Sequence, residues 1–236
     1  MQLADLTLFQ AVVEVRYSHA YLLWDRSGQL WSDLTFRFAG LRMLEAQPNN
    51  IVFRLGQEFE LSTRLDVASI IAFRPNRNLK QFTDHADYFL RKVSELLEIN
   101  EYSRIGCRLI FAKDFPTVQE ASRELLASGV VVWPKGRLFN RSSDPIQPEW
   151  AMRWEEGGAG VHVRLRVEER KYDFEPPLVW EGAPPGKKEV TSLTFDVDWY
   201  TRAPVLITQL SYVDWIKQCI HAIHRDSDAI LSGQRI

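Results

Sequence analysis

His221 and His224 are the most chemical-looking pair in this chain. At i and i+3 on a helix two imidazoles are neighbours and could ligate a metal, with Asp226 or Asp228 adding oxygen. The pattern around them argues otherwise. Placing Ile216, Ile220 and Ile223 on a buried face leaves His224 at its margin and turns His221 to the far side, with no third imidazole nearby. The pair reads as surface or helix-end histidines, which a helix dipole favours. No metal and no other cofactor is expected. Asp66 and Asp196, both in strand-like stretches, could do acid–base chemistry if the fold joined them. An acid in an alternating strand more often faces solvent or holds a neighbouring backbone group.

Arginine offers the other chemistry. Arg54, Arg64, Arg164 and Arg166, with Arg16 and Arg108 in two opening strands, fall on the polar side of alternating stretches. Interleaved with Phe and Trp, they would suit a phosphate-bearing ligand or single-stranded nucleic acid. The competing reading is a solvated sheet face whose arginines pair across strands with Glu14, Glu60 and Glu168. A formal charge of −2 favours that reading, because no overall field draws the chain to polyanions. Nucleic acid is therefore a partner of second choice. Eight tryptophans are many for 236 residues, and several flank loops, which suggests an aromatic contact surface. The residues expected to bind are Arg16, Arg108, Arg164, Arg166, Trp199, Trp215 and His224. Catalytic signatures are missing: Gly157, Gly158 and Gly160 lie between strands rather than opening a helix, and there is no Gly-x-Ser-x-Gly elbow or Cys-His-Asn set.

The elements that must position these residues follow from periodicity. Val13, Val15 and Tyr17 alternate with Glu14 and Arg16 in an opening strand. A helix is predicted over His19–Leu34, then strands over 35–46, 50–55 and 58–73, with Pro48-Asn49-Asn50 as a turn. Leu65-Asp66-Val67 falls inside the third. A helix over Thr83–Glu98, capped by Thr83 or Asp84, shows a broad apolar stripe through Phe82, Ala86, Phe89, Leu90 and Val93. The pattern restarts with Ile105, Cys107, Leu109 and Phe111. A helix from Phe115 to Ala127, an apolar strand at Val130–Trp133 and strands at 150–154 and 160–169 follow. A final strand, 190–200, leads to a helix opening at Ser211.

Length and composition fit one large domain or two small ones. Cys107 and Cys219 lie in apolar patterns and read as buried free thiols of a reducing compartment. No leader-like start and no apolar run long enough for a membrane span is seen, so a cytoplasmic protein away from membranes is expected. The expected fold class is α+β, as two tandem similar units over 1–102 and 103–236, the second with longer loops at 134–149 and 175–189. Each unit reads strand, helix, antiparallel sheet, long helix. Asp66 precedes Asp87 by 21 residues and Asp196 precedes Asp214 by 18, a faint internal match. The order is similar to TATA-binding-protein-like or helix-grip arrangements, an analogy that carries no function.

The opening Val-Val-Glu-Val-Arg-Tyr (12–17), the central Ser-Arg-Ile-Gly-Cys-Arg-Leu (103–109) and the closing 210–236 helix with Ile220-His221 and Ile223-His224 resemble three blocks of one bacterial family. Its members are sporadically distributed, similar in length to this chain, and open on a Val-x-Glu-Ile-Arg-Phe-like motif. The resemblance implies an accessory bacterial system and no catalytic residues, since that family has no established activity. The expectation is a non-enzymatic interaction module that engages a protein partner or a second copy of itself. A small-ligand or nucleotide sensor, with a pocket between sheet and long helix, is the alternative, and a metal-dependent hydrolase built on His221 and His224 ranks third.

Overall fold

A computed structural model describes residues 1–76, 78–132, 144–174 and 186–233. After a 3-10 turn at Leu3–Asp5 the chain runs β1 (Thr7–Arg16), α1 (Leu23–Arg37), β2 (Leu41–Gln47), β3 (Asn50–Leu55), β4 (Phe59–Arg64), β5 (Val67–Phe73) and α2 (Lys80–Leu96). It continues with β6 (Glu101–Tyr102), β7 (Arg104–Phe115), α3 (Val118–Ala127), β8 (Glu149–Glu156), β9 (Ala159–Phe174), β10 (Gly186–Thr201), β11 (Val205–Leu206) and α4 (Tyr212–Leu231). Nine strands form one antiparallel sheet in the order β2-β3-β4-β5-β1-β7-β10-β9-β8, and β6 pairs with β11 alone. Among the described residues the fold is mixed α and β, with a large antiparallel sheet and four α-helices.

Strand periodicity divides the sheet into two unlike faces. One cross-strand row runs Phe53, Leu61, Ile70, Val13, Cys107, Trp199, Val161, Trp154. The four described helices meet this side: Trp31 of α1 stacks on Phe53, His85 of α2 meets Phe59 edge-on, His224 of α4 meets Phe111 edge-on, and Glu124 of α3 bonds Lys113. Most of the buried hydrophobic residues form one core cluster from Leu3 to Leu231. Where α2 and α4 converge, the hydroxyls of Ser94, Tyr102 and Tyr212 bond one another, Ser94 to Tyr102 at 2.5 Å and Tyr102 to Tyr212 at 2.6 Å. Burial drives the Tyr102 phenol pKa far upward, so this cluster stays neutral and joins both long helices through β6.

Several elements sit differently from the sequence expectation. The first helix starts at Leu23 and runs through Thr35–Arg37, so those residues are helical rather than strand; the Phe38 N–H closes it on Leu34 and Gly40, at φ +80°, turns the chain into β2. Residues 58–73 form two strands, because Leu65 and Asp66 make the turn between β4 and β5, where their carbonyls accept from Ala20 and Tyr17. The second long helix begins at Lys80 after Leu79 at φ +49°, and the Thr83 hydroxyl donates back to the Leu79 carbonyl instead of capping. Val130–Val132 is irregular rather than a strand, and Trp133 lies outside the described residues, as do 134–143 and 175–185 of the two expected loops. The opening of α4 at Ser211 and the hairpin at Gly157 (φ +57°) and Gly158 (φ +82°) match the sequence reading, and the Ser211 hydroxyl caps the helix by accepting from the Asp214 N–H.

Candidate binding face of the sheet

The second face carries charge. Its rows run Glu14, Gly106, Tyr200, Gly160 and Glu155; then Val12, Arg108, Asp198, His162 and Arg153; then Gln10, Ile110, Asp196, Arg164 and Ala151. Charged residues two apart within a strand, as in Arg164-x-Arg166-x-Glu168-x-Arg170 and Asp196-x-Asp198, necessarily share this side. Antiparallel pairing then sets acids against bases on neighbouring strands.

Three linked groups result. Arg16 and Arg104 stand directly opposite each other, an unfavourable like-charge pair, and Glu14 lies between them, accepting from Arg16 Nε at 2.8 Å and Arg104 Nη1 at 3.4 Å. Arg104 also donates to Asp198 at 2.7 Å. In the middle, Asp196 accepts two bonds from Arg108 (2.7 and 2.6 Å) and one from Arg164 (2.6 Å). At the far end Glu168 joins Arg166 (3.0 Å), Arg170 (3.0 Å) and the Thr194 hydroxyl (2.8 Å). Among the described residues the network sets Arg16, Arg104, Arg108, Arg164, Arg166 and Arg170 against Glu14, Asp196, Asp198 and Glu168.

Asp196 is 1% exposed although it faces away from the helices, because two guanidiniums roof it. Burial pulls its pKa up, but bonds and charge from Arg108 and Arg164 outweigh burial and leave it below the usual carboxylate range. Glu168 is held low in the same way, burial being overcome by Thr194, Arg166 and Arg170. Asp198, two residues from Asp196, goes the other way: burial exceeds the pull of Arg104 and Arg108, so its pKa is raised. Burial and the neighbouring Arg164 lower His162. Two neighbouring carboxylates are thus shifted in opposite directions from the ordinary carboxylate value.

The face is also curved. Arg170 of β9 lies over the ring of Phe9 at 4.0 Å, although β7 and β10 intervene in the sheet order. Phe9 is the extra residue of a bulge in β1, which aims it across. At the other end Tyr200 faces a glycine on either side, Gly106 and Gly160. A Cβ on Gly160 would fall 2.4 Å from Tyr200 Cζ, and one on Gly106 would fall 3.0 Å from Arg104 Nη1. The two glycines let the Tyr200 ring and the Arg104 guanidinium lie close to the strands, 4.7 Å apart.

Of the residues singled out from sequence, Arg16, Arg108, Arg164 and Arg166 come together on this face. Trp199, Trp215 and His224 belong to the helix side, where Trp199 and Trp215 pack against the core and His224 meets Phe111 edge-on at 5.8 Å. His221 is exposed on α4, and among the described residues no group of three or more His, Cys, Asp or Glu could hold a metal. Asp66, in the β4–β5 turn, is separated from Asp196 by β1 and β7, so they form no acid–base pair. Arg54 bonds Glu60 at 3.0 Å and Arg64 bonds Asn50 at 3.2 Å, apart from the network. Cys107 and Cys219 are free and buried; a hydrogen bond between the two thiols and burial push the Cys219 thiol up, away from nucleophilic use. Sequence reasoning passed over Arg104, Arg170, Asp198 and Tyr200, although the period of two continues through each. Among the described residues no helix is long and apolar enough to cross a membrane. No family model matches the chain, and no curated protein matches it.

Proposed function

We propose that the chain is a non-enzymatic binding module that engages a protein partner through the uncovered, arginine-rich face of its sheet. The observation that carries this is Asp196, almost wholly shielded on a face that the helices leave open. Desolvation offsets much of what the ion pairs of such a carboxylate return, and its clearest effect is to hold Arg108 and Arg164 in fixed positions. Fixed guanidiniums are efficient interface groups, since each offers five N–H donors, more than these ion pairs engage, and little side-chain freedom remains to lose. Acids interleaved with arginines suit a partner of mixed charge better than a polyanion.

The proposal includes the two-unit architecture. The opening strands β1 and β7 lie side by side and antiparallel, and each is followed by a helix, a meander and a long helix, which supports two similar units and the TATA-binding-protein-like or helix-grip order. Membership of the sporadically distributed bacterial family, and a cytoplasmic accessory role, belong to the same reading. The test is co-expression with the products of adjacent genes. A stoichiometric complex is expected, weakened by at least ~10-fold when Arg16→Glu and Arg166→Glu are combined. A strict monomer that captures none of them, or a complex indifferent to both substitutions, refutes the proposal.

A further inference from the structure

On the helix side, α4 and strands β8, β9 and β10 leave a groove of about 340 Å³ open to solvent. Its walls follow from register. Trp154 of β8 stands opposite Val161 of β9, which stands opposite Trp199 of β10. The indoles therefore rise from strands two spacings apart, roughly 10 Å, with the smaller Val161 as floor between them. Ala222 and Ala229 of α4 face the same space, and their short side chains keep the helix from filling it. Trp154 is 43% exposed, an unusual state for indole in a site this apolar.

Polar chemistry in the groove is narrow. The Ser227 hydroxyl is committed to the Ile223 carbonyl within α4. Asp226 supplies the charge. Its two oxygens accept from Arg225 at 2.7 and 2.8 Å, chiefly the reason its pKa is lowered, and each keeps a second lone pair for another donor.

We infer that this groove is a binding site for a small amphipathic organic cation, of the quaternary or alkyl ammonium class. Two indoles lining an apolar slot attract such a cation through their ring quadrupoles, and the Asp226 carboxylate at the mouth, shared with Arg225, adds complementary charge when the guest takes the guanidinium's place. A neutral apolar guest would gain the burial but not the attraction of the rings, and would leave Asp226 paired with Arg225. An anion would meet the ring quadrupoles as repulsion. The site is independent of the opposite face and of any protein partner there.

The probes are choline and its uncharged isostere 3,3-dimethylbutan-1-ol, titrated to about 20 mM, beyond the millimolar affinities expected of so small a guest. Intrinsic tryptophan fluorescence and proton NMR of the indole signals report binding on the intact chain. Choline is expected to saturate and to bind about 5–10-fold more tightly than the alcohol. Asp226→Asn, a surface change, should cut that preference at least threefold, and Ala229→Leu should abolish binding of both probes by filling the slot. Circular dichroism of each variant establishes that it is folded, and Trp154→Phe is the substitute should Ala229→Leu fail to fold, with weakened choline binding expected. Absence of saturable binding, equal affinity for the alcohol, or a preference unmoved by Asp226→Asn overturns the inference.

Discussion

Replacing Asp196 by Asn tests the most specific feature of the polar face. The change keeps shape and removes one charge. Three charge-assisted hydrogen bonds converge on the carboxylate, each worth about 1.5–3 kcal/mol when fully buried. They do not add, and the donors are not fully buried: the Arg108 and Arg164 side chains are 36% and 28% exposed and can recover hydration. The amide also retains one accepting oxygen. The net cost at neutral pH is then about 2–3 kcal/mol, including the repulsion released between two facing guanidiniums. For a chain of this size that is a fall in Tm of about 4–12 °C.

The pH dependence sharpens the test. Asp196 has a folded pKa below its ordinary 3.8, so its contribution is fully present above the unfolded value and is lost only as pH falls through the folded one. Urea midpoints should show a constant gap between wild type and Asp196→Asn from pH 7 to about 4, closing below. Asp198→Asn is the matched control with the opposite sign. Its raised pKa makes ionisation cost stability, so wild type should gain on that variant as pH falls through the carboxylate range, and the substitution should cost under about 1 kcal/mol at pH 7. Equal stability of Asp196→Asn and wild type, or a gap that already narrows between pH 7 and 5, would refute this account of the face.

Two further outcomes are expected. His85 lies edge-on to Phe38 and Phe59, both at 4.9 Å, and burial, then Arg37, lower its pKa from 6.5; wild type should therefore lose stability relative to His85→Phe as pH falls through 6.5, and parallel urea profiles from pH 8 to 5 would contradict this. Gly160→Ala should cost about 1–3 kcal/mol, because its Cβ would strike the Tyr200 ring, and a Tyr200→Ala background should relieve most of that cost; additive effects in the double-mutant cycle would mean that the ring simply moves aside.

Much of this architecture was legible because strands and long helices announce themselves by period. Alternation at Val161–Val167 placed His162, Arg164, Arg166 and Glu168 on one side, and the stripe from Phe82 to Val93 marked α2. Boundaries were less visible. Nothing local in Leu65-Asp66 marks a turn; what stabilises it there includes two hydrogen bonds from residues 17 and 20, a long-range effect. The pairing of Asp196 with Arg108 was equally hidden, since it needs β10 to be inserted between β7 and β9, an order that strand periodicity cannot encode. The histidine pair drew attention for its spacing alone, and the fold turns one member to solvent and packs the other beside Phe111.

Strand β10 explains how one sheet can carry two unlike surfaces. Leu193, Phe195, Val197 and Trp199 point to the helices, while Ser192, Thr194, Asp196 and Asp198 point away, and the strand is internal to the sheet. The side chains on both faces are therefore fixed by the same pair of ladders, to β7 and to β9. A register slip of one residue would drive Asp196 into the apolar core and expose Phe195 together with it, so the buried ion pair and the hydrophobic core specify the same alignment. Removing Asp196 weakens one of two redundant determinants, which is why a loss of stability without a change of fold is the expected result.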